Sequence, residues 1–432
     1  MQTIALWTLL PFVVMLLTIA IAPLVVEHWW EKNRNKLIFT LALSIPTAIA
    51  LTALGLGGNV AHQLLFDYIP FIMLLLALFV VTGGINIKGD ISATPGVNTL
   101  LLAIGWLLAS FMGTTGAAML LIRPLLTINQ QREHRVHTVM FFIALVANCG
   151  GILTPLGDPP LFLLYLRGAS FGWFFQLLPQ WAFVGLLLLA IYALTDLYYF
   201  RKEPAHMRKR DEEEQEPIRV TGKVNFLWLA AVIAAVVFLN PSYIPAIADH
   251  HAPIYVRFVR EIVLLAIVGC SWATTARAVR TANNFSWEPI AEVAILFVGI
   301  FTTMTPALLY LNANAASLGL DAPWQFYYST GLLSSFLDNA PTAVAFHTVA
   351  SGLPVVEGAA YVAGIQEVLL KAVALGAVFF GAMTYIGNGP NFMVKAIAEQ
   401  EGVKMPSFFG YMTKFSLIVL LPIYIVAQLI FF

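Results

Sequence analysis

Long hydrophobic stretches, separated by short polar segments, run along the whole chain. Most reach the ~20 residues that a helix needs to cross the ~30 Å hydrocarbon core of a bilayer. The first set lies near residues 4–26, 36–56, 67–87, 98–127, 138–168 and 172–200. The second set lies near residues 224–240, 256–276, 288–311, 325–350, 364–397 and 407–432. This pattern predicts an all-α polytopic membrane protein whose segments occur twice in the same order.

The two sets also match in individual residues. The matching pairs are Ser110 with Ser335, Thr154 with Thr384, Gly157 with Gly387, Pro160 with Pro390 and Phe162 with Phe392. Pairs that recur in the same order, at offsets of about 220 to 230 residues, indicate an internal repeat. We therefore predict a first repeat over residues 1–200 and a second over residues 224–432. The charged segment 201–223 between them is predicted to be a soluble linker.

Each predicted repeat contains two polar interruptions at membrane depth. One lies within the fourth stretch, near residues 113–116 and 338–342, and predicts a re-entrant hairpin. The other lies within the fifth, near residues 148–160 and 384–391, and predicts a broken helix. Irregular backbone at this depth is tolerated where it is buried in protein or lines a cavity. Each half would then cross the membrane five times, and an odd number of crossings makes the two halves inverted-topology repeats.

The distribution of charge predicts the orientation in the membrane. The chain has 23 basic and 23 acidic residues, so its net charge gives no indication of nucleic-acid binding. Loops 57–66, 312–324 and 351–363 contain neither Lys nor Arg. Because basic residues collect in cytoplasmic loops, these loops are predicted to lie outside, together with both termini. The linker would be cytoplasmic, in a multi-pass protein of a plasma (bacterial inner) membrane.

The four interruptions should meet near the bilayer centre, where inverted-repeat transporters bind their ions. The repeat alignment places Asp158 opposite Asn388 and Asp338 opposite Gly113, so each half contributes one carboxylate. A charged side chain at this depth costs ~2.5–3.5 kcal/mol and marks an ion path by default. The neighbouring oxygen donors suit a small hard cation. We therefore predict Na⁺ binding through Asp158 and Asp338, with protons competing for the same carboxylates and no cofactor beyond the transported ions.

The residues predicted to bind the ion share oxygen donors or an unwound backbone. They are Asp158, Asp338, Asn339, Asn148, Thr154, Gly157, Thr342, Thr384, Asn388 and Asn391, with Thr114, Thr115 and Ser335 supporting the hairpin tips. Purely structural interpretations are available for both acids. In these interpretations Asp158 serves only to stop a helix, and Asp338 serves only to cap one. Asp196 and Glu292 are predicted to lie at membrane boundaries.

Two segments resemble the NhaD-type Na⁺/H⁺ antiporters of the ion transporter superfamily. They are Asn148-Cys-Gly-Gly-Ile-Leu-Thr-Pro-Leu-Gly-Asp158 and Ser334-Ser-Phe-Leu-Asp-Asn-Ala-Pro-Thr342. The superfamily also includes arsenite permeases, citrate carriers of the CitMHS group and dicarboxylate symporters, and the resemblance covers essentially the whole chain. It implies that Asn148, Thr154, Asp158, Ser335, Asp338 and Asn339 belong to the ion site, and that the protein is a homodimer.

The chain departs from these relatives at two places. Pro159 and Pro160 follow the Gly-Asp pair, where NhaD-type proteins usually carry small hydroxyl residues. Neither hairpin tip carries the Ser-Asn-Thr triplet of the dicarboxylate symporters. The leading prediction is a secondary active Na⁺(Li⁺)/H⁺ antiporter, and the alternative is a Na⁺- or H⁺-coupled carrier of citrate or another organic anion. A passive channel remains open, and an enzyme is not predicted because no nucleophile and base are expected to meet at membrane depth.

Overall fold

The structure is a computed structural model that describes residues 6–207, 215–249 and 251–432. Residues 208–214, the most charged part of the predicted cytoplasmic linker, lie outside the described residues, as do the first residues of the first predicted span. The described chain is overwhelmingly helical, with two small two-stranded sheets.

Among the described residues, the first half contains eight principal helices. They are α1 (Leu10–Val25), α2 (Asn33–Ala53), α3 (Ile69–Thr82), α4 (Pro95–Met112), α5 (Thr114–Ile128), α6 (Val136–Leu145), α7 (Pro159–Leu166) and α8 (Leu178–Lys202). Shorter helical segments are Leu6–Leu9, Glu27–Trp30, Gly57–His62, Gln63–Tyr68, Cys149–Leu153 and Phe171–Leu177.

The second half also contains eight principal helices. They are α9 (Val224–Phe238), α10 (Val259–Thr274), α11 (Glu288–Asn314), α12 (Pro323–Phe336), α13 (Asn339–Ser351), α14 (Glu367–Gly381), α15 (Gly389–Gln400) and α16 (Leu421–Phe431). Shorter helical segments are Pro245–Ile247, Ile254–Arg257, Arg277–Ala282, Ala315–Leu318, Phe408–Tyr411 and Met412–Leu420.

Eight helical stretches within the described residues are long and apolar enough to cross a membrane. They are Leu6–Pro23, Asn33–Ala53, Gly57–Thr82, Pro95–Met112, Val136–Leu153, Phe171–Lys202, Glu288–Leu318 and Phe408–Phe431. Large apolar side chains such as Leu194 and Leu429 are exposed on these stretches, which is the surface that a lipid environment covers. The prediction of an all-α polytopic membrane protein is confirmed.

The two predicted hairpin tips are shorter than the sequence pattern indicated. Gly113 alone joins α4 to α5, with a φ of +81° that a residue with a side chain rarely adopts. Leu337 and Asp338 join α12 to α13, and the Asp338 side chain caps the new helix. In each case the two helices pack against each other. The tips are short because Thr114 and Asn339 already belong to the following helices.

The two broken helices also occur where the polar interruptions indicated. α6 ends at Leu145 and α7 begins at Pro159, with a 3₁₀ turn and the extended residue Thr154 between them. α14 ends at Gly381 and α15 begins at Gly389. Backbone carbonyl and amide groups between these helix ends are freed from the helical hydrogen-bond pattern.

Helices at corresponding places in the two halves make corresponding contacts. α2 packs on α11 and α10 packs on α3, while α7 packs on α13 and α15 packs on α5. The helices that follow each break therefore pack against the hairpin of the other half. The opposite membrane orientation of the two halves stays a prediction.

One feature of the linker region was not predicted. Residues Glu216–Thr221 form strand β2, which pairs antiparallel with strand β1, Asn86–Asp90, so that Ile87 lies opposite Val220. Because the partners are far apart in sequence, local patterns carried no signal for this pairing. Strands β3 (Tyr361–Val362) and β4 (Ile365–Gln366) form the second small hairpin.

Candidate ion-binding site

Asp158 occupies the last non-helical position before α7 and is 1% exposed. A side chain at this position commonly accepts a hydrogen bond from the first turn of its own helix. The Asp158 carboxylate makes no such bond. Capping of α7 therefore does not account for this buried side chain.

Three neutral side chains donate hydrogen bonds to the Asp158 carboxylate. The Thr114 hydroxyl lies 2.6 Å from Oδ1, and the Asn339 amide nitrogen lies 2.6 Å from Oδ2. The amide nitrogen of Asn388 lies 3.1 Å from Oδ1. Among the described residues no basic side chain forms an ion pair with Asp158. The carboxylate is thus held in place while its negative charge remains uncompensated.

These contacts reflect the correspondence between the two halves. Aligning Gly113 with Asp338 makes Thr114 and Asn339 equivalent, and each binds one oxygen of Asp158. Asp158 and Asn388 are themselves equivalent, and their backbones adopt nearly the same angles, φ −147° and ψ 144° against φ −149° and ψ 139°. Because these equivalent residues touch, they lie where the two halves meet.

The carbonyl oxygen of Asn339 is buried and has no hydrogen-bond partner in the structure. Its amide nitrogen is used by Asp158, so the unpartnered oxygen belongs to the same side chain that holds the carboxylate. A buried polar atom without a partner is rare and costly in a folded protein. An amide oxygen beside a carboxylate is a donor set that suits a small hard cation such as Na⁺.

Asp338 contributes to the structure by capping a helix and to the site through its charge. Its Oδ1 accepts a hydrogen bond of 2.9 Å from the backbone nitrogen of Ala340, so it caps α13 as the structural interpretation stated. The side chain is partly exposed, and it lies close enough to Asp158 for the two carboxylates to repel each other. Asp338 is therefore at the edge of the site rather than at its centre.

Asn148 and Asn391 connect the two broken helices. The Asn148 amide nitrogen lies 2.7 Å from the Asn391 side-chain oxygen, and the Asn148 oxygen accepts a bond from Asn388. The Asn391 amide nitrogen then reaches the carbonyls of Gly381 and Thr384 at 2.7 and 2.9 Å. The polar atoms of both side chains are fully used, so in this state they hold the unwound segments together.

Thr154 and Thr384 hold the unwound segments against the hairpins. The Thr154 hydroxyl donates to the backbone carbonyl of Ser110, and the Thr384 hydroxyl donates to that of Ser335. The two contacts are equivalent, because the internal repeat aligned Thr154 with Thr384 and Ser110 with Ser335. The structural contribution of Ser110 was not predicted. Its match to Ser335, which was predicted to support a hairpin tip, could have indicated it.

The remaining predicted residues have other hydrogen-bond or packing partners. The Thr342 hydroxyl bonds to the backbone carbonyl of Asp338 at 2.9 Å, and the Ser335 hydroxyl bonds to that of Gly331 at 2.8 Å. Thr115 lines a small, mainly apolar cavity beside the first hairpin tip. Gly157 packs so closely that an added Cβ would lie 1.9 Å from the Gly151 carbonyl oxygen.

Two charged residues lie in ion pairs that their predicted boundary positions did not indicate. Asp196 is fully buried, with Arg132 at 2.8 Å and His137 at 2.8 Å. Glu292 lies 2.6 Å from the buried Lys36. The partners of both acids are distant in sequence, so no single stretch of the chain contained the signal for these pairs.

Two interrupted helices that meet at a buried carboxylate, within a polytopic membrane protein, are features of a membrane transporter. The sequence matches, over residues 1–432, a family described as "Putative citrate transport". The chain belongs to this family, and it fits the ion transporter superfamily.

Curated relatives are similar along much of the chain. An uncharacterized transporter of Mycobacterium tuberculosis, Rv2684, is 24% identical over 435 aligned positions, covering 93% of this chain and 94% of the relative. The uncharacterized transporter Mb2703 of Mycobacterium bovis matches to the same extent. The inner membrane protein YbiR of Escherichia coli is 23% identical over 287 positions, covering 63% of this chain and 69% of the relative.

Proposed function

We propose that this transporter exchanges Na⁺ or Li⁺ for protons, with Asp158 binding the metal ion and the proton in turn. The observation that carries the proposal is the pairing of a buried, uncompensated carboxylate with the unpartnered oxygen of Asn339. A Na⁺ ion between these groups would neutralise the Asp158 carboxylate and would give the Asn339 oxygen a partner. Asp338 adds a nearby negative charge that favours a cation at the same place.

A proton competes with the metal ion for the same carboxylate. Burial of an isolated carboxylate disfavours its charged form, so Asp158 must take up either a cation or a proton when the site is closed to water. Thr114, Asn339 and Asn388 are all donors to the charged form. Binding of one species thus excludes the other, which is sufficient for exchange.

Movement of the site between the two sides of the membrane would involve two groups of helices. The hairpins and broken helices, α4–α7 and α12–α15 with the segments between them, contain the three side chains that donate hydrogen bonds to Asp158. Helices α1–α3 and α9–α11 pack around one another beside them. We propose that the first group moves against the second, as in other transporters with broken helices, and that the protein acts as a homodimer.

A second candidate function is a Na⁺- or H⁺-coupled carrier of citrate or another organic anion. The description of the matching family favours it. In this function the same carboxylate would bind the coupling ion, and the anion would bind only after that ion had neutralised the site. The two candidates therefore share the cation site and differ in whether an organic anion crosses the membrane.

An exchange assay in liposomes separates these candidates. The purified full chain is reconstituted with a pH dye inside acidic vesicles, and NaCl, LiCl, KCl or citrate is added outside. Antiport predicts that Na⁺ or Li⁺ alone raises the internal pH, and that Asp158→Asn abolishes the response. Asp321→Asn makes the same change on an exposed residue and should respond like the wild type. A response to citrate that requires Na⁺ or protons, without a response to the cation alone, would favour the organic-anion carrier.

A further inference from the structure

A large cavity opens at the end of α7 opposite Asp158. It has a volume of about 730 Å³ and is lined by parts of α3, α7, α9 and α10, by the segments before α3 and α10, and by those after α7 and α9. This volume falls within the ~300–1,000 Å³ typical of small-molecule sites. The charge pattern predicts that the cavity lies on the outer side of the membrane. None of its lining residues belongs to the ion site described above.

Arg257 is the unmatched charge of this cavity. Its guanidinium lies over the ring of Phe66, 4.0 Å from the ring centre, and its Nε is buried without a hydrogen-bond partner. Within residues 6–207, 215–249 and 251–432, no carboxylate lies within ion-pair distance of it. A buried donor on a charged group that has no partner indicates that a ligand or an ordered water completes the site.

The other charged groups of the cavity are already paired. Arg260 donates from Nε and Nη2 to one oxygen of Glu261, at 2.9 and 2.6 Å. Asp67 lies 3.6 Å from Arg167, which belongs to the adjoining wall. Both carboxylates on the lining are thus used by arginines, one of which, Arg167, lies outside the lining. Among the described residues that line the cavity, Arg257 is left without a carboxylate partner, and His62 is the remaining residue with a basic side chain.

We propose that this cavity binds a small organic anion through a carboxylate group held by Arg257. The planar guanidinium presents donors in a geometry that matches carboxylate, and its charge disfavours a metal cation at this place. Arg260 and the polar side chains of Asn240 and Ser170 line the same space and offer further contacts to the rest of the anion.

The proposed anion site is separate from the cation site. Tyr165 lines the cavity and belongs to α7, seven positions after Asp158. At 1.5 Å per residue, this places the cavity wall about 10 Å along the helix from the carboxylate. The anion site therefore does not depend on whether Na⁺ and protons exchange at Asp158.

Equilibrium binding of citrate and succinate to the purified full chain, in Na⁺-free buffer, tests this proposal. Isothermal titration calorimetry should detect binding to the wild type. Arg257→Gln should weaken binding about tenfold or more, because one charge-assisted contact is lost. Arg219→Gln removes an arginine from the exposed face of strand β2 and should leave the affinity unchanged. Asp158→Asn should also retain the wild-type affinity for citrate and succinate.

A second variant guards against misfolding of Arg257→Gln. Gly172 lines the cavity, and no atom lies within 4 Å of the position that a Cβ would take there. Gly172→Phe should therefore occupy part of the space without disturbing the wall and should also weaken binding. Failure of citrate and succinate to bind the wild type, or unchanged affinity in both cavity variants, would overturn the proposal. Loss of binding in Asp158→Asn would place the anion at the ion site and would also overturn it.

Discussion

The unpartnered oxygen of Asn339 leads to a prediction that separates ion binding from structural support. Replacing Asn339 by Ala removes the donor to Asp158, a charge-assisted bond worth ~1.5–3 kcal/mol. The same change removes a buried unsatisfied oxygen, whose burial costs ~1–3 kcal/mol. Because these effects have opposite signs and similar size, the stability of the ion-free protein should change little.

The affinity for Na⁺ should behave differently. If the Asn339 oxygen is a ligand, its loss costs ~1.5–3 kcal/mol of binding energy, which is about 10- to 150-fold in the dissociation constant. At a Na⁺ concentration 100 times the wild-type dissociation constant, binding stabilises the wild type by ~2.7 kcal/mol. A variant with 100-fold weaker affinity would be stabilised by only ~0.4 kcal/mol under the same conditions.

Thermal unfolding in detergent, with and without NaCl, measures both effects. Asn148→Ala is the matched control, because both ends of Asn148 are satisfied by Asn391, Asn388 and the Ile143 carbonyl. This control should destabilise the ion-free protein by ~1–3 kcal/mol for each polar group left unpaired. An Asn339→Ala variant that keeps its Na⁺ affinity, or that loses as much ion-free stability as Asn148→Ala, would refute the assignment of this oxygen as a ligand.

Three further groups of substitutions test other parts of the site. Gly157→Ala should abolish exchange in liposomes, because the new Cβ would lie 1.9 Å from the Gly151 carbonyl oxygen. The control Gly389→Ala places its Cβ in open space and should remain active in the same assay. Thr154→Val and Thr384→Val should each lower stability by ~1–3 kcal/mol, since each leaves a buried carbonyl unpaired. Exposed Thr413→Val should change the unfolding free energy by less than ~0.5 kcal/mol, and equal shifts in all three variants would contradict a stabilising role for the two buried hydroxyl–carbonyl contacts. Asp338→Asn keeps a capping side chain on α13 and removes only the charge, so Na⁺ binding should weaken less than in Asp158→Asn; a greater loss would make Asp338 the principal ligand.

The interruptions of the helices were predictable from the sequence because Gly, Pro and Asp are costly within a membrane-spanning segment. The repeat alignment also paired Asp158 with Asn388, which the structure brings to within 3.1 Å. Thr114 was predicted only to support the hairpin tip, although it makes one of the two shortest contacts to Asp158. Its position follows from packing of one half against the other, which no local pattern records.

Other features required three-dimensional information of the same kind. The division of labour between Asn339, which contacts Asp158, and Asp338, which caps α13, depends on the direction of each side chain. No sequence pattern indicated a role for Arg257. Its position over Phe66 at the wall of a large cavity depends on contact between the segment before α3 and the segment before α10.

The dependence of Na⁺ affinity on pH tests the central claim most directly. If Na⁺ and a proton exclude each other at Asp158, the dissociation constant for Na⁺ should rise as the pH falls, approaching a tenfold rise per pH unit where the carboxylate is mostly protonated. Titration of the purified protein with NaCl at a series of pH values measures this dissociation constant in the wild type and in Asp158→Asn. A wild-type affinity that is independent of pH, or a pH dependence that survives in Asp158→Asn, would contradict competition at this carboxylate.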